Sequence, residues 1–527
     1  MFIHSLNRFN AKRRSAFNFA GAFASQVKTM FSPKAIKGFT QVSTLIILLS
    51  VSISSTHAQS LVIQNVSIVS PHTNEATSPR NVVIKSGRIA AILHARIHSS
   101  TDTKQFDANT RVYDGTGQFL TPGIMDSHVH VSSIPGMGFG KEPVAQKHPQ
   151  IVDDYYQHQP NSFLYYGVTQ VLDPNPGANW QRFTSNPNAP DYLRCEVITS
   201  QETFPLVEKS DSLSTQIYRY LVNEKAKPEE QNSPEHLVAE IAQSGAHCIK
   251  LYFENGYGDA DQWPLLSTQT LTRIRLAANK HGLSILAHAN AYDMYQAALA
   301  ANVDVIAHGM WNWGPYARQR VLPNEIKTLL DKVSESGIGY MPTQRVIAGL
   351  GEAMVPSTRA QKAFDKVTPN KLREWMNTDA AQWFQEELRL GFDGLPDETI
   401  ANIFRYGRVG KGAQVMQYLA NNDHPLLLGS DFPGSPSYAN QPGVTTFLEM
   451  QMMAQAGVSN VDILKAATIN NARQFDIDDD YGAVEVGKIA NLLLLNKNPL
   501  EDISAWADIS HVVLHGSIHT RDKFAVK

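Results

Sequence analysis

The feature that most constrains the fold is a regular alternation of short apolar runs and helical segments between about residues 122 and 475. Each run has the length of a strand and ends in a polar or glycine-containing turn, and helical patterns such as 268–282 lie between the runs. This alternation predicts a parallel sheet with helices packed outside it. The runs lie before His128 and at 167–173, 194–200, 247–253, 283–289, 303–309, 337–343 and 425–431.

The number of runs selects among the α/β folds. Eight parallel strands alternating with helices is the count of a closed (β/α)8 TIM barrel. An open, doubly wound sheet is the alternative, and it is weakened because no glycine-rich phosphate loop follows an early strand. Residues 350–420 are mainly helical and charged, and they are too long for one barrel helix. We therefore predict an α/β barrel over residues 122–475, with a helical insertion near the seventh or eighth strand.

The two ends of the mature chain have a different pattern. Residues 59–121 and 476–527 contain short β-rich runs, broken in the first segment by proline, Ser-Gly and Asp-Gly turns. Because chain termini often lie close together, we expect these two segments to pair into one small β domain beside the barrel.

Residues 1–58 have the composition of a secretory signal peptide. Seven basic residues and no acidic residue precede an apolar run, Thr44–Ile53, which is followed by the small-residue ending Thr56-His57-Ala58. The run is about half of the ~20 residues that a bilayer span needs. We expect cleavage after Ala58 and export to the periplasm or the medium, with no membrane span in the mature chain. An uncleaved anchor is the alternative, and Met30 is a second candidate start.

Charge and cysteine content limit the classes of partner and of structural site that this chain can have. Cleavage would remove seven basic residues and no acidic one, which changes the formal net charge from −3 to −10. Nucleic acid is a poor partner for such an acidic exported protein. The only two cysteines, Cys195 and Cys248, exclude a disulfide scaffold and a cysteine metal cluster. A bridge between them is open in an oxidising compartment, but the sequence favours two buried thiols. A homo-oligomer is left open.

Six polar residues fall at or near the carboxyl ends of the predicted strands. They are His128 and His130 after the first run, Lys250 inside the fourth, and His288, His308 and Asp431 near the ends of the fifth, sixth and eighth. In a barrel the active site lies at these strand ends, so the six side chains can converge on one mouth. The first two histidines are one residue apart, which places both on one face of an extended chain.

Each of these residues also has an ordinary explanation. A histidine at a strand end is often a satisfied polar group, and Asp431 could cap the following helix. An ammonium group in an apolar interior is costly unless it is paired or neutralised, so Lys250 would pair with Glu254 or extend to solvent. The coincidence of all six at equivalent positions favours a shared site.

Several motifs, in their order along the chain, resemble the amidohydrolase superfamily of metal-dependent hydrolases. The motifs are TPGIMDSHVH, IKLYF, ILAHA, VIAHG and GSD. The C-terminal run ATINNARQFDIDDDYGAVEVGKIANLLLLNKNPLEDI is similar to the imidazolonepropionase-like and prolidase-like branch, so the resemblance extends from about Leu61 to the end. It implies a (β/α)8 barrel flanked by a small β-sandwich built from both chain ends.

The resemblance also implies metal-binding roles. His128 and His130 match ligands of the more buried of two metal ions, and His288 and His308 match ligands of the second. Lys250 matches a lysine that reacts with CO₂ to give a carbamate bridging both ions. The counter-charge of two divalent cations would account for a lysine in such apolar surroundings.

Asp431 matches the last metal ligand, which also serves as the catalytic proton shuttle. The implied reaction is hydrolysis of an amide or other C–N bond by a metal-activated bridging hydroxide, with a proton delivered to the leaving nitrogen. Zinc is the default ion for histidine and carboxylate ligands. The expected substrates are small molecules: dipeptides, N-acyl amino acids or cyclic amides.

The loop after the Lys250 strand departs from the family pattern. Prolidase-like relatives usually carry a glycine-rich stretch there, whereas this chain has the sequence FENGYG. Tyr252, Tyr257 and Arg345 are candidates for binding a substrate carboxylate or polarising a carbonyl, with ordinary loop packing as the alternative. The Trp-rich loop 310–316 either walls the substrate pocket or packs beneath the inserted helices.

Two other classes of function stay open at this point. The first is a mononuclear deaminase, or a lactone or ester hydrolase of the same superfamily; the deaminase branch lacks the lysine. The second is a non-catalytic exported binding protein on a degenerate barrel, which the six filled ligand positions disfavour. Asp126 is also open: it either orients the first histidine pair or caps the turn that carries it.

Overall fold

The computed structural model describes residues 60–95, 110–137, 143–205, 218–256, 263–356, 362–435 and 437–526. The predicted signal peptide, residues 1–58, and the candidate substrate residue Tyr257 lie outside these ranges. Within the described ranges, no helix combines the length and apolar character needed to cross a bilayer.

Strands and helices follow one another along the chain as listed here. The strands are β1 (Leu61–Ile68), β2 (Arg80–Lys85), β3 (Arg88–His94), β4 (Arg111–Asp114), β5 (Phe119–Pro122), β6 (Ile124–Asp126), β7 (Val168–Asp173), β8 (Asp191–Thr199), β9 (Tyr220–Leu221), β10 (Cys248–Tyr252), β11 (Ser284–His288), β12 (Val305–Ala307), β13 (Gly339–Met341), β14 (Leu492–Leu495), β15 (Ile509–Leu514) and β16 (Ser517–Thr520). The α-helices are α1 (Pro143–Gln146), α2 (Pro149–Tyr165), α3 (Trp180–Thr184), α4 (Pro234–Gln243), α5 (Thr268–His281), α6 (Tyr292–Ala300), α7 (Asn324–Ser336), α8 (Gln344–Met354), α9 (Asn370–Met376), α10 (Trp383–Gly391), α11 (Asp397–Asn402), α12 (Gly410–Asn421), α13 (Val444–Gln455), α14 (Asn460–Lys465) and α15 (Asn471–Gln474). Two π-helical segments, Ile403–Val409 and Ala466–Asn470, connect α11 to α12 and α14 to α15.

Both ends of the chain contribute to one mixed sheet. Its order is β16-β15-β14-β5-β1-β2-β3, with β4 beside β1. Strand β1 runs parallel to β4 and β5, and β14 joins β5 in antiparallel orientation. Apolar side chains from the two ends, among them Ile63, Val66, Leu492 and Leu494, pack into a shared core. The chain therefore leaves this sheet after β5 to form the second sheet. It later returns to this sheet as β14, which lies beside β5.

Gly123 marks the passage from the first sheet to the second. A Cβ atom at this position would lie 1.9 Å from Oγ1 of Thr169 on β7. The residue is therefore a glycine because no side chain fits between β6 and β7 at the point where β6 begins.

The second sheet is parallel and curled, with helices outside it. Its order is β6-β7-β8-β10-β11-β12-β13, with the short β9 beside β8. The eighth predicted run has no regular strand, but Leu426 bridges Tyr340 on β13 and Phe432 bridges Val129 after β6. The run 425–432 therefore lies between the two ends of the sheet, in the place of the eighth barrel strand.

The helical insertion lies between β13 and the eighth run. Helices α8 to α12 occupy this region, and they have a small core of their own that includes Leu350, Leu388, Ile400 and Phe404. Only part of the insertion has this separate core, because Leu372 on α9 and Leu419 on α12 pack into the main core with the barrel.

The two cysteines form a disulfide. Cys195 on β8 and Cys248 on β10 are direct register partners on neighbouring parallel strands, and both are fully buried. The expectation of two buried thiols was therefore wrong. The cysteines are 53 residues apart in the sequence, and only the pairing of the two strands brings them side by side.

Candidate metal centre

The histidine pair after β6 faces Asp431 on the eighth run. Nε2 of His128 lies 3.3 Å and Nε2 of His130 lies 3.0 Å from the same atom, Oδ1 of Asp431. The two ring centroids are 5.3 Å apart. Both rings therefore point to one side of the chain, as the spacing of one residue predicted.

The second histidine pair comes from two neighbouring strands. His288 ends β11 and His308 follows β12, and their ring centroids lie 4.4 Å apart. The His308 ring is also 5.1 Å from the His128 ring, and its Nδ1 lies 3.6 Å from Oδ2 of Asp431. The two pairs therefore meet at one carboxylate, and His128, His308 and Asp431 present ligand atoms that all lie within 4.8 Å of one another.

Lys250 is buried on the His288 side of the site. Its Nζ makes no hydrogen bond to any described residue and lies 5.5 Å from the centre of the Tyr252 ring, which in turn is 5.3 Å from the His288 ring. Burial lowers the pKa of Lys250 to about 7, against the opposing effect of the Asp431 charge. A large share of this amine is therefore neutral, and hence nucleophilic, near pH 7.

The other charges of the site follow from burial and from Asp431. Burial lowers the pKa of His308 to about 3 despite the nearby carboxylate, so this ring is neutral, as a metal ligand must be. Burial also acts against the charged form of His130, but the carboxylates of Asp173 and Asp431 outweigh it and raise the pKa of His130 to about 9, so a metal ion bound by this ring would displace its proton. Burial would raise the pKa of Asp431, yet His130, His308 and Lys250 hold it below its ordinary value.

Asp126 holds the backbone that carries the ligands. Its Oδ1 accepts hydrogen bonds from the backbone N–H of His128 at 3.2 Å and of Ser430 at 2.9 Å. Its Oδ2 accepts a hydrogen bond from Oγ1 of Thr446 on α13 at 2.5 Å. Asp126 therefore fastens the turn before His128 to the run that ends in Asp431, and the structure shows it capping the turn rather than contacting the imidazole rings.

Three residues at the mouth have backbone conformations that residues other than glycine rarely adopt. The φ angles are 87° at His308, 45° at Thr343 and 53° at Asp431. Such left-handed conformations cost free energy for a residue other than glycine and persist where the surrounding structure holds them. Two of the three residues are proposed ligands, and the third contacts one of them.

Several partners of the histidines were not identified from the sequence. Oε2 of Glu254 lies 3.2 Å from Nε2 of His288, and Oγ1 of Thr343 lies 3.0 Å from Nδ1 of His308. Asp173, at the end of β7, lies 3.7 Å from Nδ1 of His130. The strand-end rule, by which polar residues at the carboxyl ends of predicted strands are site candidates, would also have identified Asp173. Glu254 was considered only as a partner of Lys250.

The candidate substrate residues differ in their surroundings. Tyr252 borders the site, and its hydroxyl accepts a hydrogen bond from Nδ2 of Asn175 at 3.4 Å. The guanidinium of Arg345 is buried and donates hydrogen bonds to Oε2 of Glu352 at 2.7 Å and to the carbonyl of Ala439 at 2.6 Å. Substrate binding by either residue stays a prediction, and Arg345 would have to keep or exchange these partners.

The two tryptophans of the Trp-rich loop have different surroundings, and the role of the loop as a wall of the substrate pocket stays a prediction. The Trp311 ring lies 5.5 Å from the His308 ring, which places it beside the site. Trp313 is fully buried, and Nζ of Lys411 on the inserted helix α12 lies 5.2 Å from its ring centre. The loop therefore connects the site to the insertion.

The unpaired polar atoms of the site fit divalent metal ions. Among the described residues, Nδ1 of His128, Nδ1 of His288 and Nζ of Lys250 are buried and make no hydrogen bond. Buried polar atoms normally have a partner, so a cluster of unpaired nitrogens around a carboxylate indicates an absent ligand. Glu254 and Thr343 engage one nitrogen each of His288 and His308, which fixes the ring orientation as the outer partners of metal-binding histidines do.

Several solved structures of known proteins share the fold of this chain. Similar solved structures include a Xaa-Pro dipeptidase with bound methionine in its active site (18% identity, 88% of this chain and 100% of that chain, TM-score 0.59) and molinate hydrolase (18%, 88% and 95%, 0.61). Ochratoxinase from A. niger is also similar (16%, 87% and 95%, 0.59). At these identities the likeness shows the fold alone. A search of curated proteins found no match.

The family follows from the sequence itself. The sequence model described as the amidohydrolase family matches residues 119–518, which covers most of the chain and all six strand-end residues. The chain belongs to the amidohydrolase family and is a hydrolase that acts on carbon–nitrogen bonds.

Proposed function

We propose that this chain is an exported, binuclear metal-dependent hydrolase of the prolidase-like branch that cleaves the amide bond of a dipeptide, an N-acyl amino acid or a cyclic amide. The observation that carries the proposal is the convergence of four histidines, Lys250 and Asp431, with buried nitrogens that lack partners. A mononuclear deaminase would have no use for a buried, unpaired lysine at this position.

The six residues would hold two divalent ions. His128 and His130 would bind the first, His288 and His308 the second, and Asp431 would complete the set. When bound, the ions would supply Lewis-acid polarisation of the scissile carbonyl and would acidify water. Zinc is the default for this set of nitrogen and oxygen donors.

Lys250 would act as a bridging ligand after reaction with CO₂. The neutral amine attacks the carbon of CO₂, an N–C bond forms, and one proton is released, which leaves an anionic carbamate. The lowered pKa of Lys250 supports this step because only the neutral amine is nucleophilic. The product is a buried anion that two divalent ions would stabilise.

Asp431 would carry the proton. Its pKa lies below the ordinary value, so the carboxylate is ionised at neutral pH and can accept a proton. It would deliver that proton to the leaving nitrogen as the C–N bond breaks. Tyr252 and Arg345, together with Tyr257, are our candidates for holding the substrate.

Export is supported by two independent features. The first 58 residues have the composition of a signal peptide. The mature chain contains a disulfide, and disulfides persist mainly in oxidising compartments. Sequencing the mature N-terminus from cells tests this: a start after Ala58 is expected, and a start before Thr44 would contradict it.

The function is tested by a hydrolysis screen of zinc-loaded protein against dipeptides, N-acyl amino acids, lactams and lactones. We expect turnover of at least one amide class, and loss of that turnover in Asp431→Asn. Asp462→Asn, on the surface helix α14, is the matched control and should retain wild-type turnover. Turnover of lactones alone, or equal turnover by Asp431→Asn, would overturn the proposal.

A further inference from the structure

The Cys195–Cys248 disulfide lies inside the barrel rather than on its surface. It joins the inner faces of the neighbouring strands β8 and β10. Both cysteines are fully buried and pack in a cluster of interior side chains that includes Leu193, Leu286 and Val305. A disulfide in this position links two strands that hydrogen bonds already pair, so its contribution to the fold is not the closure of a surface loop.

Lys250 stands directly above this disulfide. Residues two apart on a strand point to the same face, so Cys248 and Lys250 both project into the barrel. The register of the two strands places Cys195 opposite Cys248 and Val197 opposite Lys250. On both strands, the disulfide is therefore the layer of side chains immediately below the lysine.

The position of the lysine has to come from packing and from its strand. Nζ of Lys250 makes no hydrogen bond to a described residue, whereas His128, His130, His288 and His308 each contact a carboxylate or a hydroxyl. A lysine stem has four rotatable bonds, so an ammonium or carbamate at its end is placed accurately only if the strand and the layer beneath it do not move.

We propose that Cys195 and Cys248 are a positioning pair: their disulfide fixes β8 against β10 below Lys250 and so holds the lysine where it can bridge two metal ions. The inference rests on the proposed function, because it takes Lys250 as a metal ligand. The disulfide touches neither substrate nor metal in this account, and it acts only through the lysine.

The test compares three variants of the mature chain with the wild type. Cys195→Ala/Cys248→Ala removes the disulfide, and Lys250→Ala removes the bridging ligand. Val305→Ala is the matched control, because it removes volume from the same interior cluster on β12 without affecting the disulfide. For each protein, zinc affinity is measured by competition with a chelator, thermal unfolding by calorimetry, and kcat and KM on the best substrate of the screen.

We expect the double cysteine variant to lose affinity for one zinc ion by about 10–100-fold, the range seen when the support of a metal ligand is removed. Its kcat should fall with KM little changed, and its zinc stoichiometry at limiting zinc should approach that of Lys250→Ala. Val305→Ala should unfold at a lower temperature but bind zinc like the wild type.

An unchanged zinc affinity in the double cysteine variant, with a lowered unfolding temperature only, would overturn the inference and leave the disulfide as a stabilising cross-link. If the double alanine variant does not fold, Cys195→Val/Cys248→Ala refills the layer and is judged by the same zinc titration. If Lys250→Ala itself binds zinc like the wild type, the proposed role of Lys250 fails instead, which separates the two outcomes.

Discussion

The two histidine pairs of the site are held in different ways. The pair His128 and His130 is fastened by parts of the chain that are distant in sequence: Asp431 contacts both rings, and Asp126 joins their backbone to Ser430. The pair His288 and His308 has its hydrogen-bond partners on neighbouring strand ends, Glu254 and Thr343, and only His308 also approaches Asp431, at 3.6 Å. The first pair therefore depends on how the barrel closes, and the second depends on local side-chain contacts.

This difference predicts that separate substitutions disturb the two histidine pairs. Changes at the junction between β6 and the eighth run should affect barrel stability and the first pair together. Changes at the ends of β10 and β13 should affect metal affinity at the second pair with little effect on folding. Lys250 is the residue expected to connect them.

The largest effect is expected from Lys250→Ala. Loss of the ligand that bridges the two pairs should remove the second metal ion and lower kcat by about 10²–10³-fold, the usual scale for removing one charge-stabilising group from a site. Metal analysis and steady-state kinetics measure both. Lys250→Arg is the control that keeps a cation but cannot form a carbamate, and it should be as inactive as the alanine variant. Wild-type turnover by Lys250→Ala would refute the carbamate.

The next effect concerns the outer partners of the histidines. Glu254→Gln should weaken zinc binding at the second pair by about 10–100-fold because the carboxylate no longer orients His288. Asp173→Asn is the matched change at the first pair. It should weaken zinc binding less, since the Asp173–His130 distance is 3.7 Å against 3.2 Å for Glu254–His288. A chelator competition titration decides the order, and a larger loss in Asp173→Asn would contradict the comparison.

A smaller effect is expected at the junction that holds the first pair. Asp126→Asn should lower the free energy of unfolding by about 2 kcal/mol, because a buried carboxylate that accepts three hydrogen bonds is replaced by an amide that cannot accept all of them. Thr446→Val, which removes only the hydroxyl donor to Asp126, should cost about 1 kcal/mol. Denaturant unfolding measures both free energies. Equal losses in the two variants would argue against Asp126 as the residue that connects the turn before His128 to the eighth run.

The effect that acts least directly on the site is a pH dependence of stability that arises from Glu449. This buried carboxylate on α13 accepts the backbone N–H groups of Gln344 and Arg345, next to Thr343, and burial raises its pKa to about 8. An acid whose pKa is raised on folding binds its proton more tightly in the native state, so its contribution to stability is lost as pH rises from its ordinary value of 4.5 to 8. Glu449→Gln should flatten the stability profile in that window. An unchanged profile would show that Glu449 is not the group responsible.

The strand-end rule accounts for how much of this molecule could be predicted from its sequence. The apolar runs locate the barrel strands, and the polar residues that end them include His288, His308 and Asp431, because alternation and strand direction are local properties. The insertion between β13 and the eighth run was also visible, as a helical stretch too long for one barrel helix.

What the sequence does not show is mainly the pairing between elements. The disulfide depends on the register of β8 against β10, and the sequence of neither strand alone determines that register. The carbonyl of Ala439, which accepts a hydrogen bond from Arg345, lies far along the chain from it. The eighth run also pairs through isolated bridges rather than as a regular strand, and Asp431 at its end has a left-handed conformation.

The measurement that tests the central claim most directly is the metal content of the purified mature protein, determined together with the effect of a chelator on its hydrolytic activity. The account predicts about two divalent ions per chain, loss of activity on chelation and its recovery with zinc. A protein that contains no divalent metal and is indifferent to chelator would contradict the proposed metal centre.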